Sequence, residues 1–96
     1  MGTFIALLDY TEKGIRNIEE SPHRADQFNE MAEQRGAKIV AQYWTIGSHD
    51  GVLILEAPSD EVAASILLAL GRQGNVRSTT LRAYEWAEAQ ELTQTP

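Results

Sequence analysis

The chain contains no cysteine. Disulfides, a thiolate nucleophile and any zinc site built on Cys are therefore excluded, and redox logic leaves the compartment open. Histidine is nearly as scarce, with only His23 and His49. A closed zinc site thus lacks nitrogen donors, and no acids with metal-ligand spacing replace them. We expect no metal and no organic cofactor. Basic residues are also few: 8 Lys plus Arg stand against 14 Asp plus Glu, a formal net charge of −6 at pH 7. Such a chain repels polyanions, which argues against nucleic acid and anionic membrane as partners.

No run approaches the roughly 20 apolar residues of a membrane span. Phe4-Ile5-Ala6-Leu7-Leu8 is too short for a signal core, lacks a basic leader and is closed by Asp9, so it reads as a strand. Gly-rich phosphate loops, a nucleophile elbow and Ser-His-Asp spacing are absent, as is the basic-aromatic pattern of RNA-binding sheets. The expectation is a soluble cytoplasmic protein. At 96 residues it forms one domain, 1–96, whose buried fraction is modest enough for self-association to help stability.

What is present reads as βαββαβ. Thr3 to Tyr10 is a strand apolar on both faces, hence central. Ser21 as N-cap and Pro22 at the first helical position open a helix with Ala25, Phe28 and Ala32 on one stripe, stopped at Gly36. Ile39 to Ile46 alternates as a strand, with Ile39, Ala41 and Tyr43 pointing one way and Val40, Trp44 and Ile46 the other. Gly51 to Glu56 returns antiparallel. Ser59 caps a second helix, whose apolar face is Val62, Ala63, Ile66, Leu67 and Leu70, and Val76 to about Glu85 is the fourth strand. Residues from about 84 to 96 form an extension, with a short docked helix through Trp86 and Leu92 that frays at Pro96. This order predicts an α+β, ferredoxin-like fold: a four-stranded antiparallel sheet with two helices on one face.

Two helices cover one face, yet the strands are apolar on both. The opposite face needs a cover, and an isologous homodimer, sheet against sheet, supplies one from the same gene product. A cavity surviving between such sheets is a natural small-molecule site. Tyr43, Trp44, Thr80, Arg82 and Tyr84 are the candidates to line it, or else they fill it completely.

The turn Gly47-Ser48-His49-Asp50-Gly51 sits at the rim of that space. His49 is the candidate catalytic group, since an imidazole titrates near neutrality and moves protons. Asp50 reads mainly as a turn residue accepting a backbone N–H. Asp9 closes the first strand, where its carboxylate either faces a pocket or, the leading reading, caps the Thr11 turn. His23, in the first turn of a helix, reads as a surface residue. Arg16, Arg24, Arg77 and Arg82 suit an anion, but the excess of acids offers them internal partners.

Several marks taken together resemble the GYD family of small proteins, through to about Ala83. They are Asp9-Tyr10-Thr11 with Gly14-Ile15 and Asn17-Ile18, Ser21-Pro22 with Arg24, and Tyr43-Trp44-Thr45-Ile46-Gly47. Glu56-Ala57-Pro58, Gly74-Asn75-Val76-Arg77 and Thr80-Leu81-Arg82-Ala83 complete the set. The family is named for a glycine, tyrosine and aspartate in the hairpin turn; Gly47 and Asp50 fit, and His49 stands at the tyrosine position. That departure bears on any role needing a phenol there, and not on a turn-forming or ring-stacking role. The resemblance implies a ferredoxin-like fold related to dimeric α/β barrel proteins, without an established reaction. Fold-level analogy with that architecture adds cofactor-independent monooxygenases, isomerases and haem-degrading enzymes. The functional expectation is a homo-oligomeric small-molecule binding domain using Tyr43, Trp44, His49 and Arg82. The alternatives are a cofactor-independent monooxygenase or isomerase, and a structural assembly module.

Overall fold

Alternation along one central strand decides which side of the sheet the helices take. In Gly51–Ala57 every odd-numbered residue is buried, and Val52, Ile54 and Glu56 between them are only partly covered. A computed structural model describes residues 1–94. The elements are β1 (Gly2–Tyr10), α1 (Glu12–Arg16), a 3-10 turn (Ile18–Glu20), α2 (Ser21–Gln34), β2 (Lys38–Trp44), β3 (Gly51–Ala57), α3 (Asp60–Arg72), β4 (Val76–Ala83) and α4 (Trp86–Thr93). The strands form one sheet in the order β2-β3-β1-β4, with every neighbouring pair antiparallel. This is the expected split βαβ, ferredoxin-like arrangement.

The core lies between one sheet face and the two long helices. Phe4 and Ala6 of β1 and Leu53, Leu55 and Ala57 of β3 pack with Phe28 and Ala32 of α2 and Ala63, Ile66 and Leu67 of α3. Their removal from water is the main driving force for folding. Ser59 caps α3 as expected, its hydroxyl accepting the Val62 N–H at 3.2 Å, with Asp60 and Glu61 favourably placed in the first turn.

Three local expectations change. A bulge in β2 pairs Ile39 with Leu55 but Ala41 with Ile54, so the extra residue Val40 sends Ile39 to the helix side and Ala41 and Tyr43 to the other. Ser21 is already helical (φ −55°, ψ −45°) because the 3-10 turn runs straight into α2, and Glu20 takes the cap position without a side-chain bond. The hydroxyl of Ser21 is thereby released for other work. Helix α4 does form, with a reciprocal Glu85/Glu88 capping box, but buries none of its residues. Trp86 is 78% exposed, so the expected docking is absent: two of the four apolar residues are alanines, and no second layer stands over the sheet to receive Trp86 or Leu92. The fraying expected at Pro96 lies outside the described residues.

Candidate functional site

The six residues between β2 and β3 fold back onto the end of β1. Thr45 N–H donates to Asp50 O at 3.0 Å, and Asp50 N–H to Leu8 O at 2.8 Å. The Asp50 carboxylate accepts the Tyr10 N–H at 2.9 Å, and the Thr45 hydroxyl donates to His49 O at 2.6 Å. Gly47 turns the chain at φ +117°, a conformation that disfavours any side chain. Asp50 is therefore the turn residue expected, although its N–H partner lies 40 residues away. The loop is fixed from both sides, which holds His49 in place.

His49 Nδ1 lies 3.3 Å from each carboxylate oxygen of Asp9. Asp9 thus orients the imidazole. The cap on the Thr11 turn comes instead from the hydroxyl of Thr11, which accepts the Gly14 N–H at 3.1 Å. Asp9 pairs with Arg77 across β1 and β4 and alternates with Phe4 and Ala6, so it projects from the open face. Gly14 permits close packing nearby: a Cβ there would sit 1.9 Å from Asn75 O. This lets the α1 turn press against the start of β4, where Thr11 N–H donates to Asn75 O.

The candidate residues divide between the faces and ends of the sheet. Tyr43 pairs with Val52 on the open face, and Trp44 pairs with Gly51 on the helix side. There its indole N–H donates to Ser21 Oγ at 2.9 Å. Arg82 pairs with Phe4, also on the helix side, at the other end of the sheet, roughly 13 Å along β1 from the turn. Its guanidinium lies over the rings of Phe4 and Tyr84, 5.4 and 4.5 Å from their centroids, and donates to Thr3 O and Ala83 O. Thr80 shares the Arg82 face, opposite Ala6. Within one chain, Tyr43, Trp44 and His49 gather at one end and Arg82, Thr80 and Tyr84 at the opposite edge. His23 is exposed, as expected.

A feature absent from the sequence reading lies on the helix side of the same sheet end. A cavity of about 80 Å³ opens between α2, the end of α3 and the ends of the central strands. Leu8, Phe28, Leu53 and Leu70 form its apolar wall, and Ser21, Arg24, Trp44 and Asp50 bring polar groups to it. Arg24 Nη1 donates to Asn17 O at 3.0 Å, while Nη2 is buried without a partner among the described residues. Local sequence gives no sign of this, because the hydrogen-bond partner of Arg24 is the backbone of Asn17 and not an acid. A second, wider depression between α3 and β4, lined by Phe4, Leu67, Leu68, Ser78 and Thr80, has Asp60 as its one charged group. Among the described residues, no three His, Asp or Glu side chains gather as a metal site. No helix there is long and apolar enough to cross a membrane.

Comparison with known proteins places the chain in a family. The GYD domain family matches residues 4–93. The chain is also similar to the "Glutamine synthetase and cystathionine beta-lyase binding protein" of Thermus thermophilus, at 34% identity over 89 residues, 92% of this chain and 94% of the relative. The resemblance carried by the Tyr43 to Asp50 region and its companions therefore extends into α4, and the chain belongs to the GYD domain family.

Proposed function

We propose that this protein is a binding protein without turnover of its own, working as a homo-oligomer whose protomers pair through the open sheet face. The observation that carries this reading is the face itself. Ile5 and Leu7 pair with Ile54 and Val52 to form a continuous apolar centre, flanked by Tyr43 at 60% exposure and Leu81 at 49%. No described helix covers it, since α2 and α3 pack on the other side and α4 buries nothing. Contiguous apolar patches of this kind mark interaction surfaces, and a two-fold pairing makes the patch its own complement. Asp9 and Tyr43 project from the same face, and His49 is tied to Asp9. Paired sheets would bring these groups to the rim of the space between them, where a small molecule fits.

The relative's name supplies the class of larger partner: a metabolic enzyme such as glutamine synthetase or cystathionine beta-lyase. We extend that class to this chain on the strength of its nearly full-length similarity, and a cytoplasmic setting belongs to the same proposal. Sedimentation velocity tests the pairing directly, with a dimer or a multiple of it expected at micromolar concentration. A monomer at that concentration removes the pairing. Co-sedimentation with purified glutamine synthetase tests the larger partner, and unchanged separate boundaries refute it for that enzyme.

One observation favours a second reading, a cofactor-independent monooxygenase or isomerase. The His49–Asp9 contact is the arrangement in which a carboxylate orients a proton-transferring imidazole. His49 would then move a proton on an aromatic or dicarbonyl substrate, with Tyr43 the nearer group to position it. Loss of turnover in His49→Phe with retained fold supports this reading, and retained turnover removes His49 as the proton carrier. A pure assembly module predicts instead that side chains fill the intersheet space and that no dye enters it.

A further inference from the structure

We infer that the cavity on the helix side binds a small organic anion, a carboxylate on a short apolar tail, with Arg24 as its recognition group. The site is complete within one protomer, so it stands or falls independently of pairing through the opposite face. Its wall of Leu8, Phe28, Leu53 and Leu70 suits an apolar tail. A space of about 80 Å³ holds several water-sized groups, each needing roughly 10–15 Å³ by the same measure. That corresponds to a tail of a few carbons with its headgroup.

Charge chooses the headgroup. Arg24 is a cavity-lining cation whose Nη1 meets only the carbonyl of Asn17, and whose Nη2 is a buried donor without an acceptor among the described residues. An unpaired buried donor is costly, and a guanidinium is matched best by a planar, two-oxygen anion. Nη2 is out of contact with solvent, so binding includes a rotation of the side chain that turns it toward the headgroup. The ion pairs among the described residues are Arg16 with Glu12 and His49 with Asp9, and neither involves Arg24. Asp50 is the opposing charge at the cavity; its Oδ2 accepts the Tyr10 N–H, and the negative charge it keeps favours a ligand with a single carboxylate over a polyanion. The Ser21 hydroxyl is likewise engaged by Trp44 Nε1 and lies 3.3 Å from the Tyr10 hydroxyl. Tyr10, Gln42, Gln73 and Asn75 also line the cavity; Arg24 is its cation, with a buried donor that has no partner among the described residues, and one cation suits a monocarboxylate better than a polyphosphate.

Trp44 borders the cavity and reports on it. In a Trp86→Phe background, which leaves Trp44 as the sole tryptophan, its fluorescence is titrated with valerate, valeramide and pentylamine, three ligands of similar shape and different charge. Saturable binding is expected for valerate, at least about tenfold weaker for valeramide, and weakest for pentylamine. Arg24→Met should lose the preference for valerate, and Ala25→Leu, which fills the cavity from α2, should lose binding of all three. Valeramide or pentylamine binding as tightly as valerate overturns the proposal, as does no saturation by valerate. Full affinity in Ala25→Leu overturns it even where Arg24→Met fails to fold.

Discussion

Along β3, Leu53 and Leu55 are 1% and 0% exposed, while Val52 and Ile54, their immediate neighbours, remain only partly covered. The same contrast runs along β1, where Phe4 and Ala6 are buried and Ile5 and Leu7 are not. Side-chain hydrophobicity is nearly equal on the two faces. What differs is the layer above: α2 and α3 supply Phe28, Ala32, Ala63, Ile66 and Leu67 to one face, and no described element supplies anything to the other. An apolar strand residue therefore signals a need for cover without saying which molecule provides it. On the covered face the need is met within the chain and contributes to folding. On the open face the same chemistry is left for association.

The sharpest way to break this comparison is to truncate matched leucine and isoleucine positions on the two faces. Leu55→Ala should destabilise the protomer by about 2–5 kcal/mol, the usual range for a fully buried truncation that leaves a cavity. Ile54→Ala, at a partly covered position, should cost the isolated protomer clearly less than Leu55→Ala, about 1–2 kcal/mol from strand propensity and partial burial. Urea unfolding of both, at a concentration where any assembly is dissociated, checks this. Equal costs would mean that the open face is covered within the chain.

Ile54→Lys sharpens the contrast from the other side. Placing an ammonium in the centre of a paired apolar face should weaken association by at least about thirtyfold, or roughly 2 kcal/mol. The far-ultraviolet circular dichroism and the protomer's own unfolding midpoint should hardly move. An assembly that survives this substitution uses another surface. Ser59→Ala acts on the covered face alone, removing the α3 cap, and should cost about 1 kcal/mol in urea unfolding without altering oligomeric state.

The covered face was also the legible one. Ser59, the α3 stripe and the alternation of β3 are local patterns, and local patterns carry their own physical cause. The rest depends on contacts that sequence spacing does not encode. One extra residue at Val40 reverses the side on which Ala41 and Tyr43 emerge, so a strict alternation from Ile39 places them wrongly. Arg24 reads as one of several arginines with acids to meet, yet its hydrogen-bond partner is the backbone of Asn17. The His49 turn was legible as a loop of interest, whereas its true neighbours Asp9 and Tyr10 are about 40 residues upstream. Arg82 looked like a companion to Tyr43, and only the strand order shows that β4 and β2 are opposite edges.

The smallest effect on stability is expected at the His49 turn. His49 and Asp9 are 36% and 44% exposed, and their contact is 3.3 Å, so water competes for both partners and the pair adds no more than about 0.5 kcal/mol to stability. His49→Phe keeps a flat ring in a turn already fixed by the bonds of Asp50 to Leu8 and Tyr10. Its unfolding midpoint should therefore match the parent. That near-silence makes the variant useful, because any change in turnover or in ligand binding at the open face can then be assigned to the imidazole and not to a disturbed fold. A loss of 2 kcal/mol or more would instead show that the pair anchors the loop, and the rim of the open face would owe its shape to His49 as much as to Asp50.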